Sequence, residues 1–187
     1  MSYLVEFSIL SALSFLFGIT QKLADGHHEH GLNFFPGAGV VFGALFGGFG
    51  FYLIGYSSVL QAVYLAPLLY WFYKKKIDCV YHAIAAGLML LGVAASFGHF
   101  DFPFFGVAWI FGGYVLLDYA KPYCPLNLKT FFAYRLHFHF VQLVYALCVW
   151  DIFGYGSLVF NLLGIAAANR FFSIPPAATQ KPVTGDA

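Results

Sequence analysis

The sequence predicts an all-α fold, a polytopic bundle of about seven transmembrane helices, and two observations carry this prediction. Of its 187 residues, 61% are hydrophobic and only 9% are charged, whereas about a quarter of the residues of a soluble domain are charged. The apolar residues also form repeated long runs, and a helix needs roughly 20 of them to cross a bilayer. We therefore expect a multi-pass protein of the cell membrane, with the lipid bilayer as its first partner.

The first three predicted spans are separated by polar and turn-forming residues. Residues 3–24 form the first apolar run, and because no basic region precedes it we treat it as a permanent span rather than a cleaved signal. The second span, 36–55, starts at a proline, which suits the first turn of a helix. The third, 57–73, contains Pro67, which removes one backbone hydrogen bond and should kink the helix.

Four further spans follow the same pattern. The fourth covers residues 79–97 after a lysine triplet, and a loop with a proline separates it from the fifth at 104–119. A longer connection with two prolines leads to the sixth span at 132–153. Gly154–Gly156 is expected to form the turn into the seventh span, 155–172.

The distribution of cations orients the predicted bundle. With seven spans, all nine lysine and arginine residues fall on one side of the membrane, and the positive-inside rule makes that side cytoplasmic. The N-terminus is then outside and the C-terminus inside. Residues 1–173 are expected to form one transmembrane domain, and the polar residues 174–187 a disordered cytoplasmic tail. The nine cations are Lys22, Lys74, Lys75, Lys76, Lys121, Lys129, Arg135, Arg170 and Lys181.

A row of glycines marks one face of the second span. Gly39, Gly43 and Gly47 follow each other at a spacing of four residues, which places them on one side of a helix. Small residues in such rows let helix backbones approach closely in lipid. The row predicts a tight helix–helix contact, and the same face could join two copies of the chain in a homo-oligomer.

The predicted topology also collects most acids and histidines at the cytoplasmic side, where the candidate catalytic residues are Asp78, His82, Arg135 and His139. Asp78 and His82 share a helix face, and ionisable groups at membrane depth usually face the bundle interior. Arg135 could hold a phosphate through its planar guanidinium, with His139 on the same face. Structural interpretations stay open beside these: an N-cap for Asp78, a hydrogen-bonded core residue for His82 and an interface anchor for Arg135.

A divalent metal ion is the cofactor that the same region suggests. Imidazole nitrogens and carboxylate oxygens suit Zn²⁺ and related ions, and residues 25–30 are rich in both. A solvated polar loop is the alternative for this segment, because its ligand spacing is not diagnostic of a metal. The candidate metal ligands are Asp25, Glu29, His30, Asp78 and His82.

The cysteines, the lysines and the net charge limit the possible functions. Cys79, Cys124 and Cys148 have no CxxC spacing, which argues against a disulfide framework or a zinc knuckle and favours a role as small apolar residues. The net charge of +1 gives no basis for a nucleic-acid partner. No lysine lies in the middle of a predicted span, so a retinal Schiff base has no candidate.

Three functions fit these features, and the first is favoured because the polar groups cluster at one face. It is a metal-dependent membrane enzyme that acts on a lipid or lipid-linked phosphate at the cytoplasmic interface. The second is a transporter or channel for protons or divalent metal ions. The third is a non-catalytic or haem-binding assembly subunit, in which His82 and either His137 or His139 would be axial ligands.

Overall fold

The computed structural model describes residues 2–125, 128, 131–132 and 135–172. Within these ranges the chain folds into seven α-helices and one short 3₁₀ turn, which confirms the all-α class. The predicted tail at 174–187, with Lys181, and also Lys129 lie outside the described residues. The helices are α1 (Tyr3–Glu29), α2 (Ala38–Tyr56), α3 (Ser58–Tyr73), α4 (Val80–Ser96), α5 (Phe104–Ala120), α6 (Leu136–Cys148) and α7 (Ile152–Phe171), with the 3₁₀ turn at Lys121–Tyr123.

Three of the described helices are long and apolar enough to cross a membrane. These are α1, α2 and α7, with 27, 19 and 20 residues. The helices α3, α4, α5 and α6 have 16, 17, 17 and 13 residues, which is short of the roughly 20 that a span needs. By length and composition these three candidate spans suggest a membrane location, and the seven-span topology with its cytoplasmic side stays a prediction.

The glycine row of α2 packs against α4 of the same chain. A Cβ atom on Gly39 would lie 2.5 Å from the ring of Tyr81, and one on Gly43 would lie 2.6 Å from the Tyr81 backbone oxygen. A Cβ atom on Gly47 would lie 2.7 Å from the Cα atom of Ala85. These approaches confirm the predicted tight helix–helix contact. Because α4 fills this face, its use in a homo-oligomer stays a prediction that would require α4 to move away.

The helices α1 and α7 form a second close pair and run in the same direction. A Cβ atom on Gly156 would lie 2.5 Å from the Phe7 ring. About two helical turns further along, a Cβ atom on Gly164 would overlap the backbone oxygen of Phe15. The contacts advance together along both helices, which shows that the pair is parallel.

The turn before α7 lies earlier in the chain than predicted. Trp150 follows α6 in a left-handed backbone conformation with a φ of 53°. Asp151 then caps α7, because its carboxylate accepts a 2.7 Å hydrogen bond from the Gly154 N–H. Gly154–Gly156 is therefore part of α7 and not a turn, and the predicted end of the sixth span at residue 153 is wrong. The glycines there serve helix packing instead of chain reversal.

Candidate functional site

A cavity of about 310 Å³ lies among the described helices, and all seven contribute to its wall. At one end it reaches the exposed residues Glu29, Asp78 and Arg135, which lie at or near helix ends. At the other end it reaches Phe17 and Tyr64, which are only 4% and 2% exposed. The cavity is thus open and charged at the helix ends, and closed and largely apolar towards the middle of the bundle.

The wall of this cavity contains most of the residues singled out from the sequence. All four candidate catalytic residues contribute to it: Asp78, His82, Arg135 and His139. Four of the five candidate metal ligands also line it, namely Asp25, Glu29, Asp78 and His82, whereas His30 does not. Their catalytic and metal-binding roles stay predictions, while their convergence on one cavity is a property of the fold.

His82 is held between two carboxylates. Its Nε2 atom lies 3.0 Å from Oδ1 of Asp25 on α1, and its Nδ1 atom lies 3.4 Å from Oδ1 of Asp78. His82 is 7% exposed, so little water competes for either ring nitrogen. The first contact joins the start of α4 to the end of α1, and the second joins His82 to the segment just before α4.

This arrangement determines which atoms can exchange protons with a molecule in the cavity. A protonated imidazole donates to both carboxylates, and a neutral one donates from one nitrogen and accepts at the other only from a protonated carboxyl. Neither ring nitrogen of His82 is left over for a further partner. The remaining oxygens of Asp25 and Asp78 are therefore the available proton acceptors, and His82 positions them.

Asp78 does not cap α4, contrary to one of its two interpretations. Cys79 occupies the N-cap position, and its side chain makes no capping hydrogen bond. Asp78 instead contacts His82 and the Nε2 atom of His28, at 3.5 Å. Burial raises the pKa of the Asp78 carboxyl, but its own backbone N–H, His82 and His28 together lower the pKa more, so that it lies below its usual range.

Three cations share the cavity with these acids. Lys22, Lys76 and Arg135 all line the wall. Burial lowers the pKa of the half-buried Lys76 amine, and the charge of Arg135 lowers it further, while Glu29 and Asp25 oppose this shift only in part. An anion placed between Lys76 and Arg135 would relieve the repulsion that these two cations exert on each other.

Two members of the predicted polar stripe, His139 and Gln142, lie on α6 and line the cavity, whereas Arg135 lines it from just outside the helix. Arg135 precedes α6 in a left-handed conformation with a φ of 57°. Gln142 fixes the stripe by donating a 2.7 Å hydrogen bond to the Val63 carbonyl on α3. The Nδ1 atom of His139 is buried without a hydrogen-bond partner.

His137 lies apart from this stripe, as its position two residues before His139 predicts. It is 2% exposed, and its ring centroid lies 4.9 Å from that of Phe132 and 4.0 Å from that of Phe138. His137 does not line the cavity, and both nitrogens of His82 already have partners. The geometry therefore gives the bis-histidine haem interpretation no support.

A chain of hydroxyl groups continues from the cavity floor into the bundle. Tyr64 Oη lies 2.6 Å from Ser157 Oγ, which lies 2.6 Å from Ser14 Oγ. Ser14 donates to the Leu10 carbonyl at 2.7 Å, so Ser157 must donate to Ser14, and Tyr64 to Ser157. The Tyr64 oxygen consequently offers its lone pairs to a hydrogen-bond donor in the cavity.

No family model, curated protein or solved structure matches this chain. Function must therefore be inferred from the side chains themselves. The cavity offers cations for anion binding, carboxylates for proton exchange and a buried apolar floor.

One further group at the rim has the donor atoms and spacing of a metal site. A nitrogen of His28, a carboxylate oxygen of Asp78 and the sulfur of Cys79 all lie within 4.8 Å of one another. Only Asp78 is among the ligands predicted from the sequence, where Cys79 is interpreted as an apolar residue. The contact between the end of α1 and the start of α4 creates this group, so no local spacing could have revealed it.

Proposed function

We propose that this protein is a membrane-embedded enzyme that acts on a lipid or lipid-linked phosphate held in the cavity. One observation carries the proposal: three cations and the group formed by Asp25, His82 and Asp78 line a single cavity whose floor is apolar and buried. A phosphate-bearing amphiphile has the matching distribution, with charge at one end and hydrocarbon at the other. The three candidate spans would place such a cavity beside its substrate.

The two ends of the cavity would bind different parts of the lipid. At the mouth, the Arg135 guanidinium can donate two parallel hydrogen bonds to phosphate oxygens, and Lys76 adds a point charge. At the floor, the hydrocarbon would pack against Phe17, Phe46 and Met89, which are 4%, 1% and 2% exposed. Each Å² of apolar surface removed from water there contributes about 25 cal/mol.

Catalysis would combine proton transfer with charge stabilisation. A free oxygen of Asp25 or Asp78 would take the proton of a water that attacks the phosphorus atom, and the P–O bond to the lipid alcohol would break. The protonated carboxyl would return the proton to the departing alkoxide, with His82 holding both carboxylates in place. Lys76 and Arg135 would stabilise the negative charge that develops on the phosphate oxygens. His82 is thus a positioning residue, and the two carboxylates are the candidate bases.

Phosphorus NMR of reconstituted protein tests this proposal. Vesicles that contain phosphatidic acid or a polyprenyl phosphate should show conversion of the phosphate signal by the wild type. Asp25→Asn and His82→Gln should slow conversion by about 100-fold or more, since positioned acid–base groups contribute factors of that order, and both variants should still bind the lipid. Lys75→Gln is the control, because Lys75 is exposed and does not line the cavity. Wild-type rates in both site variants, or no binding of any phosphate lipid, would contradict the proposal.

A transporter of protons or divalent cations is the second candidate, and the hydroxyl chain below the cavity favours it. Transport requires polar groups that continue across the membrane, and Tyr64, Ser157 and Ser14 extend the polar path inward. The chain ends at the Leu10 carbonyl, so a proton passes further only if Ser14 turns away from it. Proton and Zn²⁺ flux into proteoliposomes separates the two candidates: flux that Ser157→Ala abolishes supports transport, and lipid conversion without flux supports the enzyme.

A further inference from the structure

We propose that His28, Asp78 and Cys79 bind a borderline-soft divalent cation, best matched by Zn²⁺, at the rim of the cavity. The donor set is one imidazole nitrogen, one carboxylate oxygen and one thiolate sulfur, and all three are common zinc ligands. Only Asp78 belongs to the cavity wall. Zn²⁺ binding can therefore be measured without a molecule in the cavity, and with Zn²⁺ bound to Asp78 the remaining candidate base is Asp25.

The spacing of the nitrogen and oxygen donors fits a tetrahedral ion. His28 Nε2 lies 3.5 Å from Asp78 Oδ1. Two nitrogen or oxygen ligands bound to tetrahedral zinc at about 2.1 Å are about 3.4 Å apart. Since all three donor atoms lie within 4.8 Å of one another, the sulfur needs to approach the other two donors by about 1.2 Å at most.

The fold holds these ligands together from two distant segments. His28 lies in the last turn of α1, and Asp78 and Cys79 directly precede α4. The 3.0 Å contact between Asp25 and His82 joins the same two helix ends. The Cys79 side chain makes no capping hydrogen bond, so its sulfur can turn towards the ion without breaking one, and a coordinating thiol loses its proton to the metal.

The ligand types also determine which cations bind. Thiolate and imidazole favour Zn²⁺ over Mg²⁺ and Ca²⁺, which prefer oxygen ligands. Three protein ligands leave one position of a tetrahedral ion for water or for an oxygen of an anion. Because Asp78 lines the cavity, the ion itself would lie at the cavity rim.

Metal titration of the full chain in mild detergent tests the site. After treatment with a chelator, the wild type should bind one Zn²⁺ per chain, and Co²⁺ should produce the near-ultraviolet absorption of a thiolate-to-cobalt charge transfer. Cys79→Ser should weaken Zn²⁺ binding by at least about ten-fold and remove the Co²⁺ band. His28→Gln should weaken Zn²⁺ binding similarly while leaving a folded protein, since His28 is exposed on the helix end.

The other two cysteines supply matched controls. Cys124→Ser and Cys148→Ser remove the same atom elsewhere in the chain, and both should retain wild-type Zn²⁺ affinity and the Co²⁺ band. A Co²⁺ band that survives Cys79→Ser, or Zn²⁺ affinity that is unchanged in His28→Gln, would overturn the site. So would a wild type that binds no Zn²⁺. Lipid-phosphate binding by the metal-free protein is a separate readout, and it reports on the proposed function alone.

Discussion

Nε2 of His82 lies 3.0 Å from Oδ1 of Asp25, although 57 residues separate the two in sequence. This contact joins the start of α4 to the end of α1. His28 and Asp78 lie on either side of this contact, and His28 Nε2 is 3.5 Å from Asp78 Oδ1. The proposed zinc ligands thus come from the same two helix ends that this carboxylate–imidazole pair joins.

Loss of the Asp25 carboxylate should destabilise the fold more than loss of the Asp78 carboxylate. The Asp25 side chain is 21% exposed and that of Asp78 is 56% exposed. We expect Asp25→Asn to lower the free energy of unfolding by about 1–3 kcal/mol and Asp78→Asn by less than about 1 kcal/mol. Thermal unfolding in detergent measures both. Equal losses would show that the pair does not hold α1 to α4.

The seam between α2 and α4 should tolerate no added methyl group. A Cβ atom on Gly43 would lie 2.6 Å from the Tyr81 backbone oxygen, whereas nothing lies within 4 Å of the corresponding position on Gly48. We expect Gly43→Ala to cost about 1–3 kcal/mol, as overpacking typically does, and Gly48→Ala to be neutral or slightly stabilising. A melting temperature for Gly43→Ala at or above that of Gly48→Ala would contradict the packing.

Binding of a lipid phosphate should weaken as the pH rises through the pKa of Lys76. Burial and the neighbouring Arg135 hold this pKa below the usual range of a lysine. Because binding uses the charged amine, the affinity for the phosphate has its full value below that pKa. The affinity then falls as the pH rises, and it does so at a lower pH than it would for a lysine with an ordinary pKa. Titrations from about pH 8 upward avoid the ionisation of the phosphate itself, whose second pKa is about 6.

Lys76→Arg is the matched variant for this pH dependence. A guanidinium stays protonated over the whole range, so the decline in affinity should disappear while binding at the lowest pH is kept. A decline of the same size in both proteins would assign the pH dependence to another group.

Removal of the Ser157 hydroxyl, the middle group of the hydroxyl chain, should weaken the packing between α1, α3 and α7. Ser157 is 1% exposed and bridges Tyr64 and Ser14. Ser157→Ala leaves both partners short of a hydrogen bond, and we expect a loss of about 1–3 kcal/mol. Ser8→Ala is the control, because Ser8 is exposed and bonds only to the Leu4 carbonyl of its own helix. Similar melting temperatures for the two variants would count against a structural role of this chain of hydroxyl groups.

Local periodicity accounts for much of what the sequence predicts. The length of the apolar runs is sufficient to locate seven helices. The spacing of four residues predicts a shared helix face for Asp78 with His82 and for Arg135 with His139, and the members of each pair line the same cavity. Asp78 and Arg135 lie just before α4 and α6 rather than on them, so helix geometry alone does not guarantee these pairs. Their convergence is supplied by the packing of the helices.

Contacts between distant helix ends account for what the sequence does not predict. His28 meets Cys79, and Asp25 meets His82, only because α1 runs on to Glu29 and reaches the start of α4. The error at Gly154 has a different cause, since small residues in a membrane helix also allow close helix packing. Asp151 before an apolar run was the available signal for the true start of α7.

Fluorescence of Trp71, which lines the cavity, tests the central claim that this cavity holds a phosphate headgroup. The chain has three tryptophans, so Trp109→Phe and Trp150→Phe leave Trp71 as the only reporter. Phosphatidic acid added to this protein in neutral detergent should change the emission in a saturable way, and diacylglycerol should bind far more weakly. Lys76→Gln should reduce the affinity for phosphatidic acid by about ten-fold or more, and Lys75→Gln should leave it unchanged. Equal affinities for the two lipids, or equal effects of the two lysine variants, would contradict the account.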